Sequence, residues 1–186
     1  MSKKVLLLLA NGFEEVETIT PIDYLRRAGI EVQSASIGTE KIVKGSHGIP
    51  VIADSIFSEL ENSEKISWDA VLVPGGMPGA SNIAAYKPAG DFIKNMANIG
   101  KLVCAICAAP AIVLFPLGII NGRRFTCYPS MVEKVSGAIY SEESVVTDGN
   151  IITSRGAGTA AYWAFAIIGK LMDENTANKI AKAVLI

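Results

Sequence analysis

No stretch of this chain approaches the roughly 18–20 consecutive apolar residues that a membrane helix needs, so no membrane partner is expected. Its formal net charge is -1, with basic and acidic residues interspersed. No basic stripe marks a specific nucleic-acid surface, and no acidic tail or low-complexity tract marks disorder. Cysteine is scarce, at 3 residues, and histidine scarcer, at 1. That is too little for a disulfide framework. His47 and Cys127 do not stand at paired-ligand spacing, so no metal is expected. The opening "KKVLLLLA" has the look of an export signal. Its apolar run is short, however, and passes at once into "NGFEEVE" without a small-residue cleavage site. A cytoplasmic location is the expectation.

Half of the 186 residues are apolar and 19% are charged, which suits one domain over 1–186 with a real core. Strands are predicted at 4–10, 30–37, 69–73, 101–106 and 150–154, those at 4–10, 69–73 and 101–106 apolar and buried. Helices are predicted at 15–28, closed by Gly29, and at 88–99 and 108–117, and 155–171 reads as a glycine turn followed by an apolar helix. "GSHGIPVIAD" reads as hairpin-like. Buried strands alternating with helices predict a mostly parallel sheet covered on both faces. In such sheets ligands sit beyond the carboxyl ends of the strands. Three turns fall there, at 11–17, 75–80 and 107–110. "GAGTAA", from Gly156, fits a dinucleotide-binding spacing, but no second strand follows to carry a ribose-binding acid. It reads as a tight strand-to-helix turn, and no cofactor is expected.

Two cysteines lie in "VCAICAAPAIVL". Extended chain rises ~3.3 Å per residue, which puts Cys104 and Cys107 roughly 10 Å apart, beyond disulfide reach. Cys104 reads as a small buried hydrophobe. Cys107 stands between a buried strand and a helix, flanked by small residues, the pattern of a nucleophile elbow. A second buried cysteine at a strand end fits the same pattern. At a helix start, free N–H groups would favour thiolate over thiol. Gly75 and Gly76 let the chain approach closely, and the Gly76 and Ala108 amides could form an oxyanion hole. One glutamate of "GFEEVE" could turn inward and share a proton with the thiol. On the residues alone, Glu14, Glu15 and Glu17 are equally open to that role or to decorating a helix start.

"GFEEVETITPIDYLRRAGIEV", "DAVLVPGGMPGA", "AICAAP" and "TSRGAGTA", in this order, resemble the ThiJ branch of the ThiJ/PfpI superfamily over nearly the whole chain. The resemblance implies a flavodoxin-like α/β/α sandwich and a homodimer. It assigns Cys107 as the elbow cysteine, Glu17 as a buried protonated glutamate, and the Gly76 and Ala108 amides as the oxyanion hole. It places Arg27 near the site across a dimer interface. His47 stands where relatives often carry an arginine reaching toward the partner subunit. Glu14 is then left as helix-start decoration and Glu15 as part of a solvated face.

Two departures accompany it. Tyr128, in "FTCYPS", replaces a histidine found near the cysteine in several relatives, and Ala108 stands where the protease-like branch has a histidine. A Cys–His dyad for peptide hydrolysis is not expected. The resemblance implies a cofactor-free enzyme acting on small 2-oxoaldehydes or glycated adducts, converting methylglyoxal to lactate. The alternative is a redox sensor or chaperone whose cysteine is oxidised to sulfinate. The apolar "YWAFAII" suggests a face for a second copy.

Overall fold

A computed structural model describes residues 2–60 and 68–186. In chain order the main elements are β1 (Lys4–Leu9), α1 (Glu15–Arg27), β2 (Glu31–Ser36), β3 (Ile42–Lys44), β4 (Pro50–Ile52), β5 (Ser55–Ile56), β6 (Ala70–Val73), α2 (Gly79–Ala85), α3 (Lys87–Asn98), β7 (Leu102–Ile106), β8 (Arg124–Phe125), β9 (Ile139–Tyr140), β10 (Val145–Asp148), β11 (Ile151–Ser154), α4 (Ala160–Leu171) and α5 (Glu174–Ala183). The central sheet runs β10-β11-β7-β6-β1-β2-β5. All its pairings are parallel except β10 with β11. Helices cover both faces, the flavodoxin-like arrangement.

The alternation of side chains along a strand explains why these strands read as unbroken apolar runs. In β1, Leu6 and Leu8 pack into the layer with Ile83, Phe92, Ile93 and Met96 of α2 and α3. Val5, Leu7 and Leu9 pack into the opposite layer, with Leu25 of α1, Trp163 and Ile167 of α4, and Ile180 of α5. In β7, Val103 and Ala105 face the first layer, while Cys104 and Ile106 face the second. Cys104 is therefore sealed inside, as the sequence predicts.

The helix predicted over 108–117 is replaced by a short π-helical turn, Pro110–Leu114. The Phe115 amide bonds back to the Pro110 carbonyl at 3.0 Å. Pro116 is the reason. It offers no N–H, and its ring would crowd the carbonyl four residues earlier, so the ladder shifts to a wider register. "YWAFAII" packs mostly inward. Trp163, Ile167 and Ile168 are buried, and Phe165 stacks on Tyr24 of α1 at 5.4 Å. Tyr162, the first residue of the stretch, stays exposed. Other exposed apolar side chains stand on α1 (Val16, Ile19) and at the β3–β4 hairpin (Ile42, Ile49, Ile52).

Candidate active site

β7 ends at Ile106, and the chain turns sharply at Cys107, whose φ is +62°. A left-handed conformation at a non-glycine residue costs roughly 1–3 kcal/mol and persists only where its surroundings hold it. Two hydrogen bonds do so. The Cys107 amide donates to the Ser154 carbonyl at the end of β11 (3.0 Å), and the Tyr128 amide donates to the Cys107 carbonyl (2.8 Å). The elbow places Cys107 between the two core layers and only partly buried. Cys104 and Cys127 are fully buried.

The glycine turn after β6 closes over this elbow. A Cβ on Gly75 would lie 2.6 Å from Cys107 Cβ and 2.7 Å from Glu17 Oε2, so no larger residue fits. Gly76 adopts φ +83°, open to glycine at little cost. The amides of Gly76 and Ala108 both pull the pKa of the Cys107 thiol down. The two predicted oxyanion donors thus favour negative charge on the sulfur.

Glu17 lies in the first turn of α1 and is 1% exposed. Its Oε2 accepts the Gly75 amide at 2.9 Å, and its carboxyl hydrogen-bonds Cys107. Burial, followed by the charge of Glu14, raises its pKa from 4.5 to about 7, against the pull of Gly75 and Cys107. Burial, then the charge and hydrogen bond of Glu17, push the Cys107 thiol up to about 12 against the two amides. The amides of the turn favour thiolate, as expected, but burial and Glu17 outweigh them. Beside an ionised Glu17 the thiol keeps its proton, and the pair shares one proton across neutral pH.

Glu14 is the N-cap of α1, and its Oε2 accepts the Glu17 amide at 2.7 Å. Glu15 is not on a solvated face. It is 6% exposed, beneath the loop that joins β3 to β4. Its carboxylate accepts the His47 amide (2.8 Å), the His47 ring Nδ1 (2.8 Å), Ser46 Oγ (3.3 Å) and the Ile49 amide (3.4 Å). Burial opposes its ionisation, but these hydrogen bonds win and hold its pKa at about 2. His47, far away in sequence, is thereby fixed beside the start of α1. Its ring is exposed, and its pKa is raised by the hydrogen bond and charge of Glu15.

Tyr128 lies at the rim, 49% exposed, with its ring 3.6 Å from a Cβ position on Gly156. That same position is 3.9 Å from Glu17 Oε1. Gly156 is thus a wall of the site that sequence reasoning assigned only to a tight turn. Arg27 is not brought in. It lies ten residues along α1 from Glu17, roughly 15 Å at 1.5 Å per residue, and pairs with Asp23. Ligand atoms of Glu14, Glu15 and His47 come within 4.8 Å of one another, the spacing of a metal cluster. Glu14 Oε2 serves the cap, and both Glu15 oxygens serve the loop. A cavity of about 480 Å³ opens beside the end of β2, near Asn11, Ile37, Ile42 and Tyr86. It includes neither Cys107 nor Glu17, so chemistry rather than volume identifies the site.

Residues 3–170 match the model of the DJ-1/PfpI family. The chain belongs to this family. It is 38% identical to the Parkinson disease protein 7 homolog of Danio rerio, over 99% of this chain and 97% of that protein. It is 33% identical to a Caenorhabditis elegans protein named glutathione-independent glyoxalase DJR-1.2, over 96% of this chain and 93% of that one. The structure of oxidized Toxoplasma gondii DJ-1 superposes with a TM-score of 0.94 at 36% identity, covering 99% of this chain and 98% of that one. Against the Arabidopsis thaliana DJ-1 homologs B and A, the chain spans 41% and 47% of their length. The DJ-1/PfpI family includes glyoxalase-type enzymes, and no described helix is long and apolar enough to cross a membrane.

Proposed function

We propose that the chain is a cofactor-free, cysteine-dependent enzyme acting on small 2-oxoaldehydes, or on their adducts with thiols and amines, in defence against carbonyl stress. The observation that carries this reading is the pairing of a half-buried Cys107 sulfur with a buried Glu17 that titrates near neutrality. The reaction begins when the proton shared by the pair moves from the Cys107 sulfur to the Glu17 carboxylate, leaving the negative charge on sulfur. The thiolate adds to the aldehyde carbon, and the carbonyl π electrons become an alkoxide. The Gly76 and Ala108 amides turn from sulfur to that oxygen, which takes the proton of Glu17 to give a hemithioacetal. Glu17, now a carboxylate, removes the hydrogen on the former aldehyde carbon. It returns a proton to the neighbouring carbon while the hydroxyl proton passes to the neighbouring oxygen, leaving the thioester of a 2-hydroxy acid. Water cleaves the thioester to a 2-hydroxy acid and frees the thiol. Carbon, oxygen and electrons balance with one water and no redox cofactor.

Tyr128 and Gly156 would border the substrate. A second copy would pack against Val16, Ile19, Ile49 and Ile52, with His47 at the edge of that surface. The location that suits this role is cytoplasmic.

A second reading uses the same donors. Two amides and a protonated carboxyl around one accessible sulfur would also hold a sulfinate, making the protein a redox sensor. Methylglyoxal turnover, measured on reduced and peroxide-treated protein, separates the two. The enzyme reading expects lactate from the reduced form and none after oxidation. No lactate from the fully reduced protein would overturn it.

A further inference from the structure

The glycine at 156 is not required by its own backbone. Its φ is 167°, extended chain that any residue adopts, unlike Gly76 at φ +83°. Nor is it required by packing. A Cβ on Gly156 would meet the Tyr128 ring at 3.6 Å and Glu17 Oε1 at 3.9 Å, both ordinary contact distances. Among the described residues, no other atom beyond its chain neighbours comes within 4 Å of that position. A Cβ on Gly75 would instead lie 2.7 Å from Glu17 Oε2 and 2.6 Å from Cys107 Cβ. Glu17 is therefore closed on its Oε2 side by the turn after β6. On its Oε1 side it is open by the size of one methyl group.

The opening has fixed walls. Thr159 Oγ1 accepts the Gly156 amide at 3.1 Å and donates to the Gly156 carbonyl at 2.9 Å, with Ser154 Oγ 2.7 Å away. The Ser154 carbonyl in turn holds the Cys107 amide at 3.0 Å, and the Cys107 carbonyl holds the Tyr128 amide at 2.8 Å. One hydrogen-bonded chain thus sets Gly156, the elbow and Tyr128 relative to one another.

We propose that Gly156 is a specificity-determining residue: its missing side chain leaves the space, between the Tyr128 ring and Glu17 Oε1, for the substituent on the ketone carbon of a 2-oxoaldehyde. This rests on the Cys107–Glu17 reading above. The sulfur bonds to the aldehyde carbon, and Glu17 must reach both that carbon and its neighbour, so the neighbour lies against the carboxyl. Its substituent cannot turn toward Gly75, where not even a Cβ fits, and turns toward Gly156. An aromatic ring lines that space and continues to the half-exposed rim, which suits an apolar substituent of methyl size or larger. An anionic substituent would meet the Glu17 carboxylate that forms during turnover.

The test is the ratio of kcat/KM for methylglyoxal to that for glyoxal, which lacks the methyl group, measured on the full chain. Gly156→Ala puts a methyl group of the protein into the same space, on a backbone that accepts it. The ratio should fall about tenfold from the wild-type value, the discrimination that one methyl group in a pocket confers. Tyr128→Ala, at a half-exposed position, widens the space from the rim. It should raise kcat/KM for phenylglyoxal relative to methylglyoxal by about tenfold, and it tests the same space independently of how well Gly156→Ala folds. An unchanged ratio in folded Gly156→Ala, or a wild-type preference between phenylglyoxal and methylglyoxal in Tyr128→Ala, overturns this role for Gly156 alone. A wild type that turns over neither glyoxal nor methylglyoxal overturns the reading of the site, and this inference with it.

Discussion

The Gly75 amide donates to Glu17 Oε2 at 2.9 Å, so a single buried carboxyl ties the turn after β6 to the first turn of α1 while facing the Cys107 sulfur. Gly75 has no room for a side chain, because an added Cβ meets both Cys107 and Glu17 closer than 3.0 Å. Gly75→Ala should therefore separate the pair. We expect a stability loss of about 1–3 kcal/mol from overpacking and a large fall in Cys107 alkylation rate. Denaturant unfolding and labelling on the same sample check both. Wild-type values in the two assays would contradict the packing described.

Glu15 is the acid-sensitive anchor of the β3–β4 loop. Its folded pKa is about 2 against an ordinary 4.5, so its contribution to stability is fully present above pH 4.5 and is lost as pH falls through about 2. Glu15→Gln should remove that acid-side loss and lower stability at pH 7 by about 1–3 kcal/mol, through broken hydrogen bonds to the loop amides. Melting temperatures between pH 2 and pH 7 test it. An unchanged acid limb would show that the loop is held by something else.

Glu17 has the opposite sign. Its folded pKa is about 7 against 4.5, so its contribution is fully present below pH 4.5 and is lost as pH rises through about 7. Glu17→Gln, which cannot ionise, should flatten the decline in stability over that window. A decline of the same slope in the variant would mean that Glu17 is not the titrating group.

The sheet and its contents were legible because each strand carries its own evidence. Leu6 and Leu7 go to opposite layers, yet both are apolar, and that is what a two-sided buried strand must look like. Cys107 was legible as an elbow candidate because its neighbours Ala108 and Ala109 are small. Its partner was not, since Glu14, Glu15 and Glu17 are chemically alike in one dimension. The family resemblance, and not the residues, chose Glu17. Glu15 was misread because its burial comes from a loop 32 residues away in sequence that folds over it. The π turn depends on which carbonyl Phe115 reaches around Pro116. The α5 helix was not called, although Asp173 caps it by accepting the Thr176 amide at 2.8 Å, a pattern present in "DENT". Arg27 falls outside the site in one chain, where its place would depend on a second copy.

That second copy is expected on the α1 and hairpin surface. The Ile49 amide donates to Glu15, so the loop between β3 and β4 lies against the start of α1, and both elements carry exposed apolar side chains, Val16 and Ile19 on one and Ile49 and Ile52 on the other. The protein should scatter light as twice 19.7 kDa at micromolar concentration. Ile52→Asp, at a position 74% exposed in the single chain, should give a folded particle of 19.7 kDa. A wild type that already runs at that mass would remove the dimer from the account.

The most direct measurement is conversion of methylglyoxal to lactate, followed by proton NMR in the wild type and in Glu17→Gln, with Cys107 alkylation measured in parallel. Gln keeps the volume and a hydrogen-bond donor but carries no transferable proton. The account predicts lactate from the wild type and none above background from Glu17→Gln, whose Cys107 still alkylates readily. Equal turnover in the two proteins, or no turnover in a wild type with a reactive Cys107, would contradict it.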